Sequence, residues 1–299
     1  MNLWTGKISQ WESHDGESFD FHHWEESTPS AASAGVLVLI HGISGDPTDF
    51  TPLAEAFCPK GWQVFAPAMR GEGRDPRQAR RGDSHGMKAE VTDVQAFWHY
   101  IREKHGSWPM LLGGESKGAL LCLHALAEKQ DIHPDGLLLF SPVVEPKMQM
   151  AGWQKHLFLA VARLFPKKRV DLSQFADKDA PPPEVSRLPE RQVALNSADY
   201  AVGTYTLRGL VALATLSLEC MHLAPQIRVP TFLAHGGDDI FVNAEAVERF
   251  FHALPNAKNQ RVYLPGSKHL TMFDLETPQV WEALDLWLHE LGRIEDLDL

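Results

Sequence analysis

Apolar runs of four to six residues recur along the chain, and apolar positions at helical spacing fill the stretches between them. Val36-Leu37-Val38-Leu39-Ile40 is wholly apolar, the pattern of a central strand covered on both faces. Trp62–Pro67, Pro109–Leu112, Leu137–Pro142, Thr231–His235 and Arg261–Pro265 read as further strands. Asp49–Phe57 and Met87–Lys104 read as helices, the second with Val91, Val94, Phe97, Trp98 and Ile101 on one face. Ala119–Leu126 is helix-like, and Gln279–Leu291 carries Val280, Leu284, Trp287, Leu288 and Leu291 on one side. Strands alternating with helices predict a mostly parallel, doubly wound α/β sheet. Near the amino end, Ile8–Ser13 and Ser18–Trp24 alternate polar with apolar around His14-Asp15-Gly16, an antiparallel hairpin at a sheet edge.

One stretch breaks the rhythm. Between Pro142 and Pro230 no strand is evident. An apolar helical run, His156–Phe165, is followed by Lys167-Lys168-Arg169, a Pro-rich segment from Asp177 to Pro183, and a helix from Val202 to Leu223. Residues 1–141 and 231–299 therefore read as an α/β core, and 142–230 as a helical cap inserted at the carboxyl edge of the sheet. That edge is where open α/β sheets bind ligands.

Gly114-Glu115-Ser116-Lys117-Gly118 lies between the strand ending near Leu112 and the helix-like run from Ala119. A serine bracketed by glycines at such a junction fits a nucleophile elbow. The turn is tight enough to strain the serine backbone and to exclude side chains two residues either side. It presents the hydroxyl at the end of the strand and aims the first helical amides at the same point.

Serine is a poor nucleophile unless a base accepts its proton and an acid fixes the base. In elbow enzymes these follow in the order acid, histidine, each on a loop after a late strand. Gly236-Gly237-Asp238-Asp239-Ile240-Phe241-Val242 offers the acid. Asp239 is preferred, with Val242 pinning the loop, whereas Asp238 would face solvent or cap the helix starting near Asn243. Pro265-Gly266-Ser267-Lys268-His269 offers the base, and position singles out His269 from 15 histidines. The oxyanion donors are the amide of Lys117 and, from Ile40-His41-Gly42-Ile43-Ser44-Gly45, the amide of Ile43.

These pieces, together with Arg70-Gly71-Glu72-Gly73-Arg74, resemble the α/β-hydrolase superfamily, and within it the monoacylglycerol lipase-like, serine aminopeptidase-like serine hydrolases. The resemblance spans about residues 35 to 290. It implies a helical cap of variable structure, an ester-type small-molecule substrate and no cofactor. Three residues depart from the family pattern. Glu72 stands where histidine is usual, Glu115 replaces the histidine before the serine, and Lys117 replaces Met, Leu or Gln after it. Lys117 reads either as a cation facing the pocket, favouring an anionic or polar substrate, or as half of an ion pair with Glu115 or the cap. The basic stretch Arg74–Asp83 reads as a solvated loop or as a carboxylate or phosphate contact.

The same residues also fit a thioesterase, a C–C bond hydrolase or a non-catalytic ligand-binding protein. A net charge of −11 argues against nucleic acid and against an anionic membrane surface. Membrane contact and oligomeric state are left open. Cys58, Cys122 and Cys220 lack metal-site spacing and read as reduced, buried thiols of a cytoplasmic protein. No metal is expected. The first residues lack the apolar run of a signal peptide, and no apolar run reaches the ~18 residues of a membrane span.

Overall fold

The computed structural model describes residues 6–25, 34–128, 131–147, 152–171, 183–196 and 200–292. In chain order the strands are β1 (Lys7–Glu12), β2 (Ser18–Trp24), β3 (Gly35–Ile40), β4 (Trp62–Pro67), β5 (Met110–Glu115), β6 (Gly136–Phe140), β7 (Arg169–Asp171), β8 (Thr204–Thr206), β9 (Thr231–Gly236) and β10 (Gln260–Leu264). The helices are α1 (Thr51–Phe57), α2 (Met87–His105), α3 (Lys117–Glu128), α4 (Gly152–Leu164), α5 (Pro189–Asn196), α6 (Leu207–Leu223), α7 (Ala244–Ala253) and α8 (Thr277–Glu290).

Eight strands form one sheet in the order β1-β2-β4-β3-β5-β6-β9-β10. Its first two pairings are antiparallel and the rest parallel. The strands read from apolar runs are buried because helices cover both faces. Val36, Val38 and Ile40 of β3 point into a core shared with α2, α3 and α6, while Leu37 and Leu39 point into a second core with α1 and α8. Strand order reverses about β3, which lies between β4 and β5. The carboxyl ends of β3 and β5 are therefore neighbours, in register through Ile40 and Gly114, and the loops leaving them open onto one crevice.

The segment from 142 to 230 holds α4, α5 and α6, and also a small antiparallel ladder, β7 with β8, that the sequence pattern does not announce. Three-residue strands are too short for a period to register. The ladder also moves the start of the last helix in this segment from Val202 to Leu207. Thr206 ends β8 and caps α6, its hydroxyl accepting the Gly209 amide at 3.2 Å. Residues 177–182 of the Pro-rich segment lie outside the described residues. Leu207–Gln226 has the length and, at 1.3, the mean hydropathy to cross a bilayer. Its Leu216 and Cys220 nonetheless pack into the core shared with α3, and the Leu216 carbonyl meets His124 Nε2 at 3.0 Å. The three cysteines are buried thiols.

Candidate active site

The chain turns from β5 into α3 at Ser116, whose φ of 52° lies in the left-handed region that costs a residue with a Cβ. The turn is held by the Ser116 amide, which donates to the Phe140 carbonyl at 2.9 Å. Glycine is required on either side. A Cβ on Gly114 would stand 2.4 Å from the Gly118 carbonyl carbon, and one on Gly118 would stand 1.9 Å from the Ile40 oxygen. This crowding brings α3 hard against the end of β3 and turns the Ser116 hydroxyl into the crevice.

Three residues from three loops meet there. His269, on the loop between β10 and α8, has Nε2 2.9 Å from Ser116 Oγ. Its Nδ1 lies 2.7 Å from Asp239 Oδ2, on the loop after β9. The other Asp239 oxygen accepts the amides of Phe241 at 2.8 Å and Val242 at 3.1 Å, so three partner atoms fix a fully buried carboxylate. Asp238 points outward, its carboxylate 2.6 Å from Lys268 Nζ, and the cap of α7 is the side chain of Asn243. The His269 loop is tied down where its carbonyl accepts from Ser141 Oγ at 2.5 Å, and the Phe241 ring meets the imidazole edge-to-face.

The electrostatics suit proton transfer. Burial opposes a charged imidazole, but the hydrogen bond and charge of Asp239, with the charge of Glu115, hold the His269 pKa above its usual value. Burial also opposes the Asp239 carboxylate. His269 and the two backbone amides outweigh it, and its pKa falls below the ordinary aspartate value. A base so placed can take the Ser116 proton, and the acid fixes the tautomer that leaves Nε2 free to accept it.

The segments that carry the two candidate oxyanion donors both border Ser116. Gly42 lies against the nucleophile, an added Cβ there falling 3.2 Å from Ser116 Cβ. The Ile43 amide follows directly. Lys117 opens α3, so its amide has no partner within the helix.

Glu115 and Lys117 do not pair with each other. The turn at Ser116 sends their side chains apart. Lys117 Nζ is buried between two carboxylates, 2.7 Å from Glu72 Oε1 and in contact with Glu90 Oε1. Burial disfavours its charge, but Glu72 and Glu90 more than compensate and raise its pKa. With its ammonium engaged twice over, Lys117 is not a cation offered to substrate. Sequence reasoning left Glu72 and Glu90 out of the site, although an acid at 72 and a base at 117, both departures from one family pattern, are complementary charges. Glu115 is buried with Oε1 unpartnered. Burial first, then the charge of Asp49, pushes its carboxyl up to about 7.

The segment between β6 and β9 reaches this site at two points. The Tyr205 hydroxyl meets Ser44 Oγ at 2.5 Å, and Arg191 Nη2 meets Asp49 Oδ1 at 2.5 Å. Three of the four arginines of the 74–83 stretch pair with carboxylates of the protein. Arg74 pairs with Asp46 at 2.5 Å, Arg80 with Asp75 at 2.6 Å and with Glu17, and Arg77 with Glu17 at 3.1 Å. Arg74 and Arg77 nonetheless remain exposed, so the stretch is a solvated loop whose charges are paired. In the basic trio after α4, Lys167 and Lys168 are exposed, while Arg169 donates to the carbonyls of Arg81 at 2.6 Å and Ala79 at 2.8 Å.

An eight-stranded sheet in this order, with a serine elbow after β5, an acid after β9 and a histidine after β10, accords with the family match over residues 31–276, described as serine aminopeptidase, S33. The chain belongs to that family. It is 24% identical over 264 residues to a thermostable monoacylglycerol lipase of Bacillus sp. strain H-257, covering 86% of this chain and 92% of the relative. It is 23% identical over 263 residues to an uncharacterised abhydrolase domain-containing protein of Dictyostelium discoideum, covering 87% of this chain but only 26% of that much longer protein. Among solved structures, a soluble variant of monoglyceride lipase from Saccharomyces cerevisiae, bound to a substrate analogue, superposes with a TM-score of 0.80 at 17% identity over 96% of each chain. A thermostable carboxyl esterase of Bacillus coagulans superposes at 0.78 with 14% identity, covering 97% of this chain and 99% of that one. At these identities the structural likeness speaks for the fold.

Proposed function

We propose that this member of the serine aminopeptidase S33 family is a serine hydrolase that cleaves carboxylic esters through an acyl-enzyme. The observation that carries the reading is the 2.9 Å approach of His269 Nε2 to Ser116 Oγ, with Asp239 2.7 Å behind the ring. The names of the Bacillus lipase and of the yeast and Bacillus coagulans enzymes favour an ester as the substrate class.

In this mechanism Ser116 Oγ attacks the ester carbonyl while its proton passes to His269 Nε2. The amides of Ile43 and Lys117 hold the oxyanion of the tetrahedral intermediate. His269 returns the proton to the leaving alcohol, and the same base then draws a proton from water as it hydrolyses the acyl-Ser116 ester. Asp239 orients the imidazole and stabilises its charged form. Residues 142–230 act as a cap over the crevice, a role supported by the Tyr205–Ser44 and Arg191–Asp49 contacts.

The test is hydrolysis of p-nitrophenyl esters from acetate to laurate by the wild-type protein and by Ser116→Ala. Turnover by the first and silence from the second are expected, and the preferred chain length then sizes the acyl pocket. A folded wild-type protein inert toward every ester would remove the reading and bring thioester or C–C cleavage forward.

A further inference from the structure

We propose that Glu72 is the positioning residue of the oxyanion hole, one carboxylate that clamps its two halves together. The inference rests on the reading of Ser116 as nucleophile. Glu72 Oε2 accepts the amide of Ser44 at 2.8 Å, and Glu72 Oε1 accepts Lys117 Nζ at 2.7 Å. The peptide next to the Ile43 donor and the residue that supplies the second donor are thus joined through a single side chain. The spacing of two amides that must converge on one oxygen depends on that link.

Both ends of the clamp need holding. Ser44 has a φ of 53°, a strained conformation that persists only where neighbours enforce it. Glu72 secures its amide from below and Tyr205 its hydroxyl from the cap side, at 2.5 Å. On the opposite side, Glu90 also contacts Lys117 Nζ and keeps the ammonium from turning away. Glu72 itself stands on a braced turn. Its amide donates to the Met69 carbonyl at 3.1 Å, its carbonyl accepts from Asp75 at 3.0 Å, and Asp75 is fixed in turn by Gly71 at 2.7 Å and Arg80 at 2.6 Å.

The burial of the cluster argues in the same direction. Glu72, Lys117 and Glu90 are 2%, 6% and 0% exposed. A buried ion pair contributes little net stability compared with apolar residues of the same volume. Its yield here is a fixed geometry behind the nucleophile. Ile43, Glu72, Lys117 and Tyr205 border one small pocket, so the clamp and both donor residues share one wall.

The experiment compares wild type with Glu72→Gln, Glu72→Asp and Glu72→Ala. Phosphorylation of Ser116 by diethyl p-nitrophenyl phosphate is followed by release of p-nitrophenolate and by intact mass. A bond forms between Ser116 Oγ and phosphorus, the bond from phosphorus to the aryl oxygen breaks, and the serine proton passes to His269. The phosphoryl oxygen must occupy the oxyanion hole, so the rate reports the hole without depending on substrate preference. kcat and KM for p-nitrophenyl acetate and the Tm are measured in parallel. Glu72→Ala removes both bonds, and Glu72→Asp withdraws the carboxylate by one methylene. Both should slow phosphorylation and kcat by about 100-fold, the order expected for a lost oxyanion donor, with KM within about threefold. Glu72→Gln keeps an acceptor for Ser44 and should recover at least about tenfold of that loss. If Glu72→Ala fails to fold, the Asp and Gln variants decide. Rates within twofold of wild type alongside a lowered Tm would make Glu72 purely structural and overturn the proposal. A wild-type protein inert to both reagents would instead sink the nucleophile reading beneath it.

Discussion

Asp239 and His269, thirty residues apart in sequence, share a 2.7 Å hydrogen bond inside a site where the carboxylate is fully buried and the imidazole nearly so. Replacing the acid by its amide keeps the shape but inverts the hydrogen-bonding demand. An asparagine nitrogen facing Nδ1 favours the tautomer with its proton on Nε2, where the base must be free. Asp239→Asn should lower kcat by ~10⁴ with KM little changed. An activity loss below tenfold would mean that Asp239 does not orient His269.

The pH profile should carry the mark of Glu115. His269 must be neutral to act as base, so activity rises as pH climbs through its pKa, which lies above 6.5. The charge of Glu115 is one of the forces raising it. In Glu115→Gln that force is gone, and the acid limb of kcat/KM should move to lower pH. Because Glu115 itself titrates near 7, the wild-type limb belongs to the pair and should be broader than that of a single group. A limb that stays put, or moves upward, would show that Glu115 does not couple to the base.

Arg70 is the structural keystone beneath the loop that carries Glu72. It is 1% exposed, its guanidinium gripping Asp93 in a fork at 2.7 and 2.9 Å and reaching Asp15 at 2.9 Å. Arg70→Met leaves Asp93 buried and charged, and should cost about 3–5 kcal/mol in denaturant unfolding. The double variant Arg70→Met/Asp93→Leu should recover most of that. Independent, additive losses in the two single variants would show that the pair is not coupled.

Acid should loosen the loops that the aspartates hold. Asp239, Asp46 and Asp83 all have pKa values depressed below 3.8. Burial pushes each upward, and it is outweighed by His269 for Asp239, by Thr48 and Arg74 for Asp46, and by Arg208 for Asp83. A depressed folded-state pKa gives stability that is present above the unfolded value and lost as pH falls through the folded one. The Tm should therefore drop as the pH is lowered below about 4. A Tm that rises on acidification below pH 4 would contradict these pairings.

What was legible in the chain divides along physical lines. Fully apolar runs such as Val36–Ile40 declare buried parallel strands because helices on both faces leave no polar side. Ser116, Asp239 and His269 were nameable because each sits at a strand end with glycine nearby, where backbone geometry and chemistry make the same demand. The partners of Lys117 were not nameable. Glu72 lies 45 residues away and Glu90 is on α2, and no local period links charges that only the fold brings together. The pairing of Arg74, Arg77 and Arg80 is hidden for the same reason, since Asp46 and Glu17 lie outside the stretch they neutralise.

Two glycines allow the tightness of the elbow to be tested by contrast. At Gly118 an added Cβ would meet the Ile40 carbonyl oxygen at 1.9 Å, and the obstacle is backbone of the central strand. Nothing there can rotate aside, so Gly118→Ala should cost about 3 kcal/mol or more, or prevent folding. At Gly42 the nearest neighbour is Ser116 Cβ at 3.2 Å, a distance a few tenths of an ångström of loop movement relieves. Gly42→Ala should therefore fold with a near-normal Tm yet lose activity, because the movement displaces the Ile43 amide from its place beside the nucleophile. The check is Tm and kcat measured together on both variants. Equal losses of stability at the two positions would mean that Gly42 serves packing rather than the approach of the oxyanion loop to Ser116.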